Sequence, residues 1–288
     1  MSKKNKTRKT RKKRQLKTRR RWSTKRKILL AILICSLIGT FLFLGKKISF
    51  YFSTFNSEQT HRHLTNSPSE ADRIYRILEK NLDYTFGIDL SHYQRPDMIN
   101  WDSLIISPSG LPIDFVILRA TMGTAGRDNQ FEDYWQDAKK SGIVRGAYHF
   151  YRPDEDPILQ ANNFLSTVKL ESGDLIPVLD VERFPKKLSK KQFLKNVKIW
   201  LKIVEEAYGQ KPMIYTYYHF YKDNLRDEDF ESYPLWLANY NNVSQPSPED
   251  PWDMWQFTEN GITKGITTKV DLNIFKGSLP ELQNISIP

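Results

Sequence analysis

The sequence has a single cysteine in 288 residues, Cys35, and it lies inside a run of uncharged aliphatic residues. The rest of the chain therefore holds no disulfide, no thiolate metal site and no cysteine nucleophile. Negative charge is missing from residues 1–27, which carry 16 Lys/Arg and no Asp/Glu. Charge of either sign is missing from Ile28 to Gly45, 18 residues dominated by Leu and Ile. Internal repeats are missing too, and nothing outside the basic tail is of low complexity. The formal net charge of +11 is thus a property of the tail, because residues 48–288 carry 26 basic and 33 acidic groups, a net of −7.

The order of these segments has a topological meaning. At about 1.5 Å per residue, Ile28 to Gly45 nearly crosses a hydrocarbon core of about 30 Å, and Ile48 to Phe52 can extend it. A cleavable signal peptide would have a shorter apolar region and a small-x-small site, whereas here Lys46 and Lys47 follow directly. The segment reads as an uncleaved single-pass anchor, residues 28–47. Its preceding Lys/Arg excess puts the N-terminus in the cytoplasm and the body outside. The tail contains one aromatic residue, Trp22, and no base-stacking pattern, so it reads as a topology determinant and anionic-lipid contact rather than a nucleic-acid arm.

Residues 48–83 read as a linker and a short helix. His61 and His63 sit in a polar stretch and read as solvent-exposed. The helix, over residues 69–83, has Ile74, Ile77, Leu78 and Leu82 at helical spacing, with Ser69 and Asp72 as a capping box. From residue 84 to 288 strand-like and helix-like segments alternate, the pattern of βα units. Strands are expected at 85–90, 114–120, 144–151, 175–182, 213–217, 235–238, 254–257 and 270–274. Convincing helices occur only in the first two-thirds: Phe131, Tyr134, Trp135 and Ala138 mark one stopped by Gly142. Asp156-Pro157 opens another, and Ser189 with Gln192 caps a third that ends at Gly209. The fold class is α/β, an irregular β/α barrel preceded by a single transmembrane helix.

In such barrels the strand C-termini carry the functional groups. Here they supply Asp89, Asp180, Glu182 and Asp271, with Tyr148, His149, Tyr215, Tyr217, Trp236, Tyr240, Trp255 and Gln256 around them. Asp180 and Glu182 are one residue apart on a strand and project to the same side. Two acids so placed repel, and one should hold its proton near neutral pH, as a general acid must. Flat aromatic faces pack on sugar rings, and paired carboxylates cleave glycosidic bonds. His149 reads as a core histidine, and no metal or cofactor is called for.

Five segments in order carry a family resemblance. They are Phe86-Gly87-Ile88-Asp89-Leu90-Ser91-His92-Tyr93-Gln94, Asp114-Phe115-Val116-Ile117-Leu118-Arg119-Ala120-Thr121 and Gly146-Ala147-Tyr148-His149-Phe150. Pro177-Val178-Leu179-Asp180-Val181-Glu182 follows, then Trp255-Gln256-Phe257 with Val270-Asp271-Leu272. Together they resemble glycoside hydrolase family 25, the muramidase-type lysozymes, over about residues 84–280. The resemblance implies a barrel of about five β/α units plus extra strands. It also implies cleavage of the β-1,4 bond between N-acetylmuramic acid and N-acetylglucosamine in peptidoglycan. By position it makes Glu182 the proton donor and Asp180 its assisting carboxylate. Asp89 and Asp271 complete the acid set, Tyr148 lies at the cleavage subsite, and Tyr215, Tyr217, Trp236, Tyr240, Trp255 and Gln256 are substrate-binding. Met122 departs from the acidic or polar residue many members carry after Ala-Thr. The alternatives are a silent peptidoglycan-binding module and a glycosidase acting on another amino-sugar polymer.

Overall fold

Short aliphatic runs bounded by Gly, Pro and Asp become strands because each can bury both faces, one inside a barrel and one under helices. The computed structural model describes residues 64–288 and three isolated residues, Leu33, Ile34 and Gly45. The basic tail, the linker histidines and all but those three residues of the expected anchor lie outside the described residues. Among the described residues no helix is long and apolar enough to cross a membrane. The chain divides into two compact units, Met1–Gly45 and Lys46–Pro288, and the barrel belongs to the second.

In chain order a helix α1 (Pro68–Lys80) precedes β1 (Thr85–Leu90), a small hairpin β2 (Ile105–Ile106) and β3 (Leu111–Pro112), and β4 (Phe115–Met122). Then come β5 (Gly126–Arg127), α2 (Phe131–Lys140), β6 (Val144–Phe150), α3 (Pro157–Thr167), β7 (Val178–Asp180) and α4 (Lys190–Tyr208). The last third holds β8 (Met213–Tyr217), β9 (Leu235–Ala238), β10 (Met254–Gly261), β11 (Thr263–Lys264) and β12 (Val270–Phe275). Strands β1, β4, β6, β7, β8, β9, β10 and β12 form a closed ring. All neighbours are parallel except β12, which runs antiparallel between β10 and β1.

Side-chain alternation sorts the ring into an inside and an outside. Phe115, Ile117, Val178, Met213, Met254 and Phe275 fill the lower interior, and Leu282 and Ile285 join that cluster. Ile88, Val116, Leu118, Leu179, Ile214, Leu237 and Leu272 face outward and pack under Tyr134, Phe164, Phe193, Val197 and Trp200 of the helices. The interior is tight. A Cβ on Gly87 would fall 2.4 Å from the buried Phe115 ring, so Gly87→Ala should cost about 2 kcal/mol by overpacking. Chemical denaturation should show a lower midpoint at an unchanged slope.

The eight barrel strands lie close to the expected positions, while several other elements differ. Residues 175–182 do not form one strand. Only Val178–Asp180 pair, because Pro177 lacks an N–H and Leu175 bridges instead to Ser286 of the C-terminal segment. Full-length helices follow only β4/β5, β6 and β7, fewer than about five β/α units. After β8 the chain makes only short helical turns, Tyr218–Phe220 and Tyr221–Leu225. The later connectors contain Pro234, Pro246, Pro248 and Pro251, which deny them helical hydrogen bonds. The first helix is capped two residues earlier than Ser69 suggests, by Ser67, whose hydroxyl accepts from the Glu70 N–H, with Pro68 in the first turn.

Helix α1 packs on the body. Ile74, Ile77 and Leu78 are buried. Arg73 is held by Glu70 and donates to the Phe257 carbonyl at 2.8 Å, and the Thr258 hydroxyl donates to Glu70 at 2.7 Å. Just before the helix, Asn66 donates to the Asn260 carbonyl at 2.9 Å.

Candidate active site

The C-terminal ends of the parallel strands open into a groove of about 680 Å³. Asp89, Tyr148, Asp180, Glu182, Tyr215, Tyr217, Trp236, Tyr240, Gln256 and Asp271 all line it. Each lies on or just beyond a barrel strand, at a position whose alternation turns it inward. Trp255 is the exception among the sequence-derived candidates. Gln256 faces the groove, so its neighbour Trp255 faces the helices, fully buried between Trp252 and Phe257. Its indole N–H donates to the Asn239 carbonyl at 2.9 Å. Trp255 is a core residue and offers no face to a sugar. Trp236 is also buried, but it lines the groove edge-on to Tyr215.

The acids are held differently. Asp89 Oδ2 accepts from Gln256 Nε2 at 2.7 Å and from Asn273 Nδ2 at 2.8 Å, and Asp271 hydrogen-bonds to the same carboxylate. With three donors Asp89 is the charged partner, although burial pushes its pKa up. Asp271 holds the shared proton, since burial and the neighbouring Asp89 charge raise it to about 9. The donors are themselves fixed. Gln256 Oε1 accepts from the Tyr215 hydroxyl at 2.7 Å and from the Tyr240 hydroxyl, and Asn273 Oδ1 accepts from the Trp236 indole at 3.0 Å. Burial, aided by the surrounding acids, raises the tyrosine pKa values, so these hydroxyls stay protonated donors.

Asp180 is not so supported. It is 5% exposed, and its Oδ1 is buried with no hydrogen-bond partner among the described residues. Burial raises its pKa well above the ordinary value, with Glu182 and Asp89 adding repulsion. Glu182 is half-buried, and burial lifts its pKa while the Arg183 charge pulls it back. One floor therefore holds a charged Asp89, a protonated Asp271 and two further acids driven toward their neutral forms.

This arrangement makes stability depend on pH. Asp271 has its folded pKa raised from 3.8 to about 9, so its contribution is intact below about pH 4 and is lost as pH rises toward 9. Asp271→Asn keeps a donor toward Asp89 without the ionisation. We expect it to raise the melting temperature by about 5 °C at pH 8, some 2 kcal/mol, discounted because the side chain is only half-buried. Near pH 4 the two proteins should melt together, and thermal scans at both values check this.

Asn273 was not singled out from sequence, although it links Trp236 to Asp89. Its signal was present: it stands two residues after Asp271 and so shares that side of the strand. Arg183 and Phe184, also in the groove, lie in a loop with no periodicity to mark them. His149 is a core residue, as its sequence setting implied. Its ring nitrogens contact the Thr121 hydroxyl at 2.7 Å and Gln160 Oε1 at 3.1 Å, the ring stacks on Trp200, and burial holds its pKa down to about 4. Among the described residues no group of three or more His, Cys, Asp or Glu side chains is arranged to hold a metal ion.

A closed barrel with an acid floor and aromatic walls at its open end is the build of a glycoside hydrolase. Residues 88–266 match the family model described as Glycosyl hydrolases family 25. The chain belongs to that family. It is 38% identical over 198 residues to the YegX protein of Escherichia coli (strain K12), covering 68% of this chain and 71% of that protein. It is 31% identical over 214 residues to Lysozyme M1 of Streptomyces globisporus, covering 68% and 69%. The solved bacterial lysozyme of Streptomyces coelicolor superposes with a TM-score of 0.61 at 30% identity, over 70% of this chain and 96% of that one.

Proposed function

We propose that the protein is a peptidoglycan muramidase, cleaving the β-1,4 bond between N-acetylmuramic acid and N-acetylglucosamine. In this reading residues 28–45 anchor it in the cell membrane, with the N-terminus cytoplasmic and the barrel facing the wall. The observation that carries the catalytic part is the placement of Asp180 and Glu182: one residue apart, both lining the groove, with Asp180 Oδ1 left without a hydrogen-bond partner among the described residues.

Glu182, whose pKa burial raises above the ordinary glutamate value, gives its proton to the leaving glycosidic oxygen. Asp180 either attacks the anomeric carbon or orients the sugar's own 2-acetamido group to do so; water, giving a proton to the now ionised Glu182, then breaks the new bond at the anomeric carbon, so both routes retain the configuration. Before a substrate binds, burial favours a neutral Asp180. Hydrogen-bond donors on the bound sugar lower its pKa and bring out the charge that the oxocarbenium-like transition state needs. Asp89 and Asp271, fixed by Gln256 and Asn273, orient sugar hydroxyls beside it.

The test is digestion of purified peptidoglycan by the full chain, scored as new reducing ends on muramic acid. Binding without new ends would make the protein a wall-binding module, and equal release from muramate-free chitin would move it to another polymer. Anchoring predicts a protein that stays with membranes in high salt and leaves them in detergent. Recovery as a freely soluble protein from the medium, at full function, would overturn it.

A further inference from the structure

Charge in the groove is divided. The acids occupy the floor, whereas the wall made by β4 and the loops after β6 and β7 carries Arg119, Arg152, Arg183 and Lys186. Arg119 and Arg152 are already paired, with Asp128 at 3.0 Å and Glu155 at 3.2 Å. Arg183 and Lys186 are exposed and form no ion pair among the described residues. The Arg183 guanidinium lies over the Phe150 ring, 5.6 Å from its centroid. Between the two cations Phe184 is 42% exposed, its ring 5.4 Å from that of Phe193. The loop that presents them is fixed. Pro185 is buried, and the backbone N–H groups of Lys186 and Lys187 donate to the Asp154 carboxylate at about 3.0 Å.

The N-acetylated sugar rings are uncharged, so two exposed cations flanking an exposed ring have no partner there. In intact peptidoglycan the lactyl carboxyl of muramic acid is consumed in the amide bond to the peptide, and the free carboxylates lie on that peptide. We infer that Arg183, Phe184 and Lys186 form a subsite for this carboxylate-bearing peptide substituent, an inference that rests on the peptidoglycan reading above. Arg183 and Lys186 take the carboxylates, and Phe184 covers the apolar side chains between them. A preference for the peptide places the enzyme before any reaction that strips peptides from the glycan, because hydrolysis of that amide removes the peptide carboxylates and leaves only the single lactyl carboxylate set against the sugar ring.

The experiment compares glycan strands bearing peptides with strands from which an amidase has removed them. Each protein is scored by the ratio of its kcat/KM values on the two substrates, so that changes in the chemical step cancel. Two exposed cation–carboxylate contacts support a preference of about tenfold for peptide-bearing strands, carried in KM. Arg183→Gln/Lys186→Gln should bring the ratio near one, and so should about 0.5 M salt. Lys139→Gln, an exposed lysine outside the groove, should leave it unchanged. A wild-type ratio at or below one, or a double variant that keeps the wild-type ratio, overturns the inference. Equilibrium binding of the Glu182→Gln protein to the same two polymers reads the preference without cleavage. Absence of cleavage would therefore sink the muramidase reading while this subsite is still decided by binding.

Discussion

Glu182→Gln should lower the rate of glycan cleavage by about a thousandfold, the middle of the range for loss of a positioned general acid. Glutamine keeps the shape and hydrogen-bonding reach of the side chain and removes only the transferable proton. The loss should therefore fall on kcat, with KM little changed. The pH profile gives a sharper reading. Wild-type activity must fall on the alkaline side as Glu182 ionises, at a pH above the ordinary glutamate value because burial raises it. Residual activity in the variant should lack that limb. Full activity in Glu182→Gln would remove Glu182 from the reaction altogether.

Asp180→Asn should cost about a thousandfold as well, for a different reason. In the proposed mechanism the lost group is the negative charge that faces the anomeric carbon, and an amide can neither attack nor attract the developing cation. The accompanying stability change separates this from simple damage. Burial and the repulsion of Glu182 and Asp89 make the Asp180 charge unfavourable in the folded protein. A neutral isostere relieves that penalty, so the inactive variant should melt higher than wild type at pH 8. A lower melting temperature together with lost activity would mean that Asp180 supports the fold and has no separate chemical role.

Much of this site was legible because barrel strands declare themselves. Aliphatic runs of five or six residues placed Asp89, Tyr215 and Asp271 near strand ends, and alternation put Asp180 and Glu182 on one side. Trp255 shows the limit of such reasoning. Periodicity separates Trp255 from Gln256 but does not say which face is inside, and a large aromatic serves a core as well as a groove. The reversed direction of β12 was also hidden, because a short strand reads the same in either direction. The small sheet of β2, β3 and β11 has two residues per strand, too few to show a period, and one of them is Pro112. The clasp of Arg73 on the Phe257 carbonyl spans 184 positions, and no local pattern could announce it.

That clasp sets where force enters the barrel. Asn66, Glu70 and Arg73 grip β10 at Phe257, Thr258 and Asn260, the end that also bears Glu259 on the groove rim. A pull along the chain from its N-terminal side thus arrives at the open end of the barrel, not at the end closed by Leu282 and Ile285.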